Sequence, residues 1–132
     1  MKLSTRSRYG SRILVDLARF QGQGPVPIGD ISSRQGVSVK YLEQLIRPLK
    51  KAGLVESVRG PKGGHLLAIR PEEITLGQIV KLFETQKDLV ECISFPQKCH
   101  LSADCRLRMV WEEASEALYE KLDSTTIADL IV

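Results

Sequence analysis

Cys92, Cys99 and Cys105 are the three cysteines of the chain, and they fall within fourteen residues. Thiolates are soft ligands and good nucleophiles, so this spacing offers two chemistries: coordination of zinc or an iron–sulfur cluster, or redox reaction at sulfur. Three thiolates are one short of a closed tetrahedral or cluster site, so a fourth ligand must come from another residue, a second copy of the chain, or solvent. The intervals Cys92-x6-Cys99 and Cys99-x5-Cys105 are longer than the tight cysteine pair usual in structural zinc sites, which favours iron and sulfide over zinc. Met1-Lys2-Leu3-Ser4 runs straight into charged residues without an apolar leader, and no apolar run is long enough for a membrane span. The expected location is cytoplasmic, where three clustered cysteines serve metal binding or reactivity rather than a disulfide framework.

The elements that must position these thiols can be read from periodicity and caps. Ser4 caps a first helix to about Phe20, with Tyr9, Ile13, Leu14 and Leu17 on one face. Gly22-Gln23-Gly24-Pro25 ends it, a short helix spans about Ile28 to Gln35, Gly36 makes the turn, and Ser38 caps a third helix over about 38–52. Val39, Leu42, Leu45, Ile46 and Leu49 form its inward stripe, and Pro48 predicts a kink late in the helix. Gly53 ends that helix. Two short apolar runs, 54–58 and 65–69, flank the basic tip Arg59-Gly60-Pro61-Lys62-Gly63-Gly64, which predicts a β-hairpin. That tip lacks the spacing of a nucleotide P-loop and leads into a strand, which argues against nucleotide binding. Thr75 and Gln78 form a capping box for a fourth helix through about Glu84. A loop over about 86–101 follows, then a long helix from Ser102 to Leu122 with the stripe Leu107, Val110, Trp111, Ala114, Ala117, Leu118, Leu122. Ser124-Thr125-Thr126 caps a short tail helix, 127–132. The fold class is mainly α with a small β wing: a winged helix-turn-helix over 1–84, a cysteine-bearing loop over 85–101, and a dimerisation helix with its tail over 102–132. A helix this long outside a small core calls for a partner helix, hence a homodimer.

Charge supports nucleic acid as partner. The net charge of +3 over 132 residues is +9 for residues 1–70 and −6 for residues 71–132. A basic half of that size suits the phosphate backbone of double-stranded DNA. On the second helix of a helix-turn-helix, Ser38, Lys40, Tyr41, Glu43, Gln44 and Arg47 are placed to reach base edges in the major groove. Gln44 suits adenine, and Glu43 can accept from a cytosine amino group while repelling phosphates. Arg59 and Lys62 on the wing suit the minor groove or the backbone.

Leu3-Ser4-Thr5-Arg6-Ser7-Arg8-Tyr9-Gly10, Tyr41-Leu42-Glu43-Gln44-Leu45 and the stretch Gly53-Leu54-Val55 to Val58-Arg59-Gly60-Pro61-Lys62-Gly63-Gly64 together resemble the bacterial Rrf-type winged-helix regulators, whose branches include IscR-, NsrR-, RirA- and CymR-like members. The resemblance covers nearly the whole chain. It implies a non-enzymatic transcriptional regulator, dimeric through its long C-terminal helix, with DNA contacts from the helix at 38–52 and the wing at 59–64. The three-cysteine stretch resembles the cluster-binding branch, which implies that Cys92, Cys99 and Cys105 ligate the iron of a cluster, [2Fe-2S] in preference to [4Fe-4S]. The chain departs from that pattern where the IscR-like branch has a histidine, here Arg108, and where NsrR-like members have an aspartate, here Arg8. His100 adjoins Cys99, and adjacent residues rarely chelate one cluster comfortably, which leaves Glu91, Asp104, a carboxylate of a second subunit, an external thiol and water as candidates for the fourth ligand. Zinc or bare thiols sensing nitric oxide or redox state is the nearest alternative. A thiol or iron–sulfur carrier using the winged helix only for protein contacts is the alternative of another class.

Overall fold

The computed structural model describes residues 1–132. In chain order it forms α1 (Thr5–Arg19), α2 (Ile28–Gln35), α3 (Val39–Lys51), β1 (Val55–Val58), β2 (Gly64–Leu67), α4 (Leu76–Phe83), α5 (Glu91–Ser94) and α6 (Arg106–Ser124). Single 3-10 turns lie at Pro71–Glu73, Pro96–Lys98, Ser102–Asp104 and Ala128–Leu130. This is the expected helical architecture with a two-stranded wing, in which β1 and β2 pair antiparallel with Ser57 opposite His65. No helix is long and apolar enough to cross a membrane.

The caps act as their residue types dictate. Ser4 accepts from Ser7 N at the start of α1, Ser38 accepts from Tyr41 N at the start of α3, and Thr75 with Gln78 closes a reciprocal capping box on α4. Gly36, at φ 67°, makes the left-handed turn between α2 and α3 that a side chain would strain. Ile13, Leu14 and Leu17 of α1 meet Ile31, Leu42, Leu45 and Leu49 of the helix-turn-helix in one buried cluster. Gly10 lets Phe83 of α4 approach, since a Cβ there would sit 2.4 Å from the ring.

Several expectations are corrected. Val39 stays 37% exposed, because it lies on the first turn of α3, ahead of the core-facing run that begins at Leu42. The stretch read as a loop over 86–101 contains α5 and a 3-10 turn, too short to carry a helical period. The long helix does not begin at Ser102: a separate 3-10 turn covers Ser102–Asp104, Cys105 is the N-cap, and α6 extends to Ser124. The tail forms only the turn at Ala128–Leu130, where Thr126 and Asp129 cap each other. Just before it, Ile127 is fully buried in the main core, and its N donates to the Ile74 carbonyl at 2.8 Å.

Glu84, at the end of α4 where the chain turns toward the cysteine-bearing segment, ties that point to the start of α1. This buried carboxylate accepts from Ser4 N at 3.2 Å, from Ser4 Oγ at 2.7 Å and from Ser7 Oγ. Burial alone would raise its pKa, but the hydrogen bonds from Ser7 and Ser4, helped by the Arg6 charge, hold it below the ordinary glutamate value. A depressed carboxylate stabilises the fold above its unfolded-state pKa, and the contribution is lost as pH falls through the folded-state pKa. Glu84→Gln is expected to cost about 1–3 kcal/mol at pH 7. Urea titrations should show the gap between variant and wild type closing in acid, below the ordinary glutamate pKa of about 4.3. A gap that stays constant with pH would mean that the charge at Glu84 contributes nothing.

Candidate functional site

Two sites emerge from this framework. The first is the outer face of α3 with the wing. Ser38, Lys40, Glu43, Gln44 and Arg47 are exposed on it, and Arg59 and Lys62 are exposed on the turn between β1 and β2. Tyr41 is only half exposed, because its ring stands edge-on to Tyr9 of α1 with centroids 6.1 Å apart. That contact fixes α3 against α1 and leaves Tyr41 less free to reach outward than its neighbours. The wing is pinned to the body by the paired backbones of Val26 and His65, in both directions at 2.8 Å. Gly64 permits this, since a Cβ there would meet the Val26 backbone at 2.4 Å.

Sequence reasoning missed two supports of this surface. Asp16, buried on α1, takes a two-pronged ion pair from Arg34 of α2 at 2.7 and 2.9 Å and a further bond from Gln35 at 3.0 Å. Arg34 also lies over the Phe20 ring at 4.2 Å, so the first helix of the helix-turn-helix is locked to α1. A buried-face aspartate at position 16, among the apolar residues of α1, is the one sequence signal for it. His65 Nδ1 bonds Ser57 Oγ at 2.8 Å across the wing, and burial, then the Lys50 charge, lower its pKa against a smaller opposing effect of Glu43. The ring is therefore neutral at pH 7 and serves the wing as a hydrogen-bonding group, not as a charge.

The second site is the lobe formed by α5 and the two following 3-10 turns. Cys92 lies in α5, Cys99 follows the turn Pro96–Lys98, and Cys105 caps α6. All three are free thiols, Cys99 exposed and the other two half-buried. The lobe is held to one face of α6. Arg108 Nε donates to the Cys92 carbonyl at 2.9 Å, Ser115 Oγ donates to Asp88 at 3.2 Å, and Tyr119 OH donates to the Lys87 carbonyl. Arg108, which stands where the resemblance led one to look for a ligand, is thus committed to a backbone oxygen.

The donor chemistry of the lobe suits an iron–sulfur centre: three soft thiolates within one small substructure. The thiols are not drawn together into a ready-made group, and no histidine or carboxylate gathers with them. Glu91 is engaged at the surface by Lys98 at 3.4 Å, while His100 and Asp104 are exposed. One buried polar atom in the lobe lacks any partner, the hydroxyl of Ser102.

Beside the face that holds the lobe, α6 carries an apolar stripe that is uncovered. Leu107 is 63% exposed, Val110 53% and Trp111 42%, while Leu118 and Leu122 nearer the C-terminus are half-buried.

The clamp on Cys92 can be tested without any metal. Arg108→Met leaves that carbonyl unpaired, and amide exchange across Glu91–Phe95 of the metal-free protein is expected to accelerate about tenfold, the equivalent of one charge-assisted hydrogen bond. Unchanged exchange would show that α5 is held by packing alone.

Comparison with known proteins bears on the whole chain. Residues 3–132 match the family described as Rrf2, iron-dependent transcriptional regulator. The chain is 48% identical over 131 residues to protein rrf2 of Nitratidesulfovibrio vulgaris, covering 99% of this chain and 87% of that one. It is 39% identical over 132 residues to the HTH-type transcriptional regulator IscR of Aliivibrio salmonicida, covering 100% of this chain and 78% of that one. Its fold superposes on CymR, the global cysteine regulator of B. subtilis, with a TM-score of 0.83 at 39% identity, covering 99% of this chain and 96% of that one. With a winged helix-turn-helix whose charged outer face is free and with relatives matched over more than three quarters of their length, the chain belongs to the Rrf2 family of transcriptional regulators, DNA-binding proteins rather than enzymes.

Proposed function

We propose that the protein is an iron–sulfur-responsive transcriptional repressor that binds pseudo-palindromic DNA as a homodimer. The observation that carries this reading is the construction of α6: one face holds the three-thiol lobe through Arg108, Ser115 and Tyr119, and beside it runs an uncovered apolar stripe. Residues 1–84 serve as the DNA-binding domain, 85–101 as the sensing segment, and 102–132 as the dimerisation helix with its tail. Cys92, Cys99 and Cys105 hold the cluster, [2Fe-2S] in preference to [4Fe-4S]. When bound, such a centre supplies a redox-sensitive and releasable cross-link among the three thiolates.

The remaining steps fall to the chain. Cys92 and Cys105 lie on α5 and at the first turn of α6, so a change in their spacing moves α5 against α6, and Arg108 transmits it. In a dimer paired along α6, the angle of that helix sets the distance between the two α3 helices, which must match half-sites about one helical turn of DNA apart. A coupling of about 1–3 kcal/mol between lobe and DNA is enough for regulation. Ser38, Lys40, Tyr41, Glu43, Gln44 and Arg47 read the major groove, and Arg59 and Lys62 follow the adjacent groove or backbone. Targets concerned with iron–sulfur assembly or cysteine supply follow from the resemblance to IscR- and CymR-like regulators.

Anaerobic preparation with iron and sulfide quantified, followed by DNA binding of loaded and metal-free protein across a salt series, tests the reading. Two irons and two sulfides per chain with a loading-dependent affinity are the expected result. Absence of iron with unchanged DNA binding would replace the cluster with a thiol sensor, and binding indifferent to salt would remove DNA as the partner. Gln44→Ala is expected to weaken specific DNA by about 1–3 kcal/mol, whereas Arg59→Ala should lower affinity on any sequence and reduce the salt slope by about one. Val110→Asp, in the middle of the exposed stripe, is expected to yield monomers in sedimentation at concentrations where the wild type is dimeric. A dimeric Val110→Asp protein would place the interface elsewhere.

A further inference from the structure

We propose that Ser102 is a hydrogen-bond donor to the sulfur atoms of the centre held by Cys92, Cys99 and Cys105, and so a positioning and tuning residue of the sensing lobe. The inference rests on the cluster reading above and identifies a residue that the cysteine pattern does not include.

Ser102 is only 7% exposed, and its Oγ is the one buried side-chain polar atom of the chain without a hydrogen-bond partner. The other buried serines are satisfied: Ser7 Oγ donates to Glu84 and Ser115 Oγ to Asp88. Burying an unpaired hydroxyl is costly, and the sequence had a simpler option, since alanine fits the same space with nothing left unsatisfied. The local pattern is also inverted. Leu101 is 61% exposed and Ala103 is exposed, so the turn buries its polar residue and leaves its apolar neighbours in solvent. Capping does not explain it, because the Ser102 side chain caps no helix.

Its place in the lobe points to the partner. Ser102 lies three residues from both Cys99 and Cys105, and its backbone is tied to each. Its N donates to the Cys99 carbonyl at 3.2 Å, and its carbonyl accepts from Cys105 N at 3.5 Å. The hydroxyl sits on the turn that links two of the thiolate ligands and meets no sulfur in the metal-free lobe, so the acceptor that would satisfy it is a sulfur brought within reach when the centre binds. Hydrogen bonds to cluster sulfur stabilise the reduced, more negative state and slow loss of the centre. The same hydroxyl disfavours the metal-free lobe, in which it has no acceptor. One side chain therefore biases both ends of the loading equilibrium in the same direction.

Opposite effects on the two forms test this. Metal-free Ser102→Ala is expected to melt at or above the wild-type temperature. Loaded Ser102→Ala should show a more negative midpoint potential and lose iron to a chelator about fivefold faster, the equivalent of one hydrogen bond. Ser102→Thr, which keeps the hydroxyl, should restore the potential. A metal-free Ser102→Ala protein that melts below wild type would overturn the proposal by showing a structural bond. So would a loaded variant with wild-type potential and iron loss. Failure of the wild-type chain itself to take up iron and sulfide would remove the sulfur acceptor and the cluster reading together, a result distinct from any change seen only in the variant.

Discussion

A carboxylate withdrawn from water at the junction of two substructures is tolerable only if its lone pairs are filled, and Glu84 is where this chain meets that condition. Three donors from Ser4 and Ser7 converge on it, at the point where α4 ends and the segment toward the thiols begins. The start of α1 is thereby fixed to the end of α4, with Phe83 against Gly10 and Arg6 over the Phe83 ring at 5.3 Å. The helix-turn-helix is stacked on α1 through Asp16 and Arg34, so the direction of α3 and the origin of the lobe are both referred to the same helix. The Glu84 bonds act alongside the Ile127–Ile74 bond and the Lys81–Asp123 pair, which tie α6, and through it the lobe, to the winged helix.

The polar ties along α6 are few but regularly placed. Positions 108, 115 and 119 lie on one side of the helix at spacings of seven and four, and each takes up a group from the 87–94 stretch. Near the C-terminal end, Lys81 of α4 pairs with Asp123 at 3.4 Å, and its ammonium lies over the Tyr119 ring at 5.1 Å. These exposed pairs contribute little stability individually, and their value is in setting the rotation of α6 about its axis. That rotation decides that Leu107, Val110 and Trp111 face outward together.

Much of the architecture was legible in the sequence. The capping residues Ser4, Ser38 and Thr75, the turn glycine Gly36 and the basic hairpin tip carry strong local signals, and the structure follows them to within a residue or two. Legibility fell where order comes from long-range hydrogen bonds. The four-residue α5 has no periodicity to detect, and Ser102–Asp104 reads as continuous with α6 because both are helical in pattern. The role of Arg108 was hidden for another reason: its partner is a backbone oxygen sixteen residues away, and carbonyls leave no trace in composition. Ser102 gave no sign of its role because a small polar residue near cysteines carries no signal until its burial is known.

The return of the chain at Ile127 gives α6 mechanically unequal ends. Its last turn leads into a residue wholly enclosed by the winged-helix core and bonded to Ile74, while its first turn is held only by the small lobe. With nineteen residues, the helix is a rod of about 28 Å clamped at one end. A shift of about 1 Å at the lobe swings such a rod through about 2° around the clamp. The thiols sit at the long end of a lever whose fulcrum is built into the DNA-binding core.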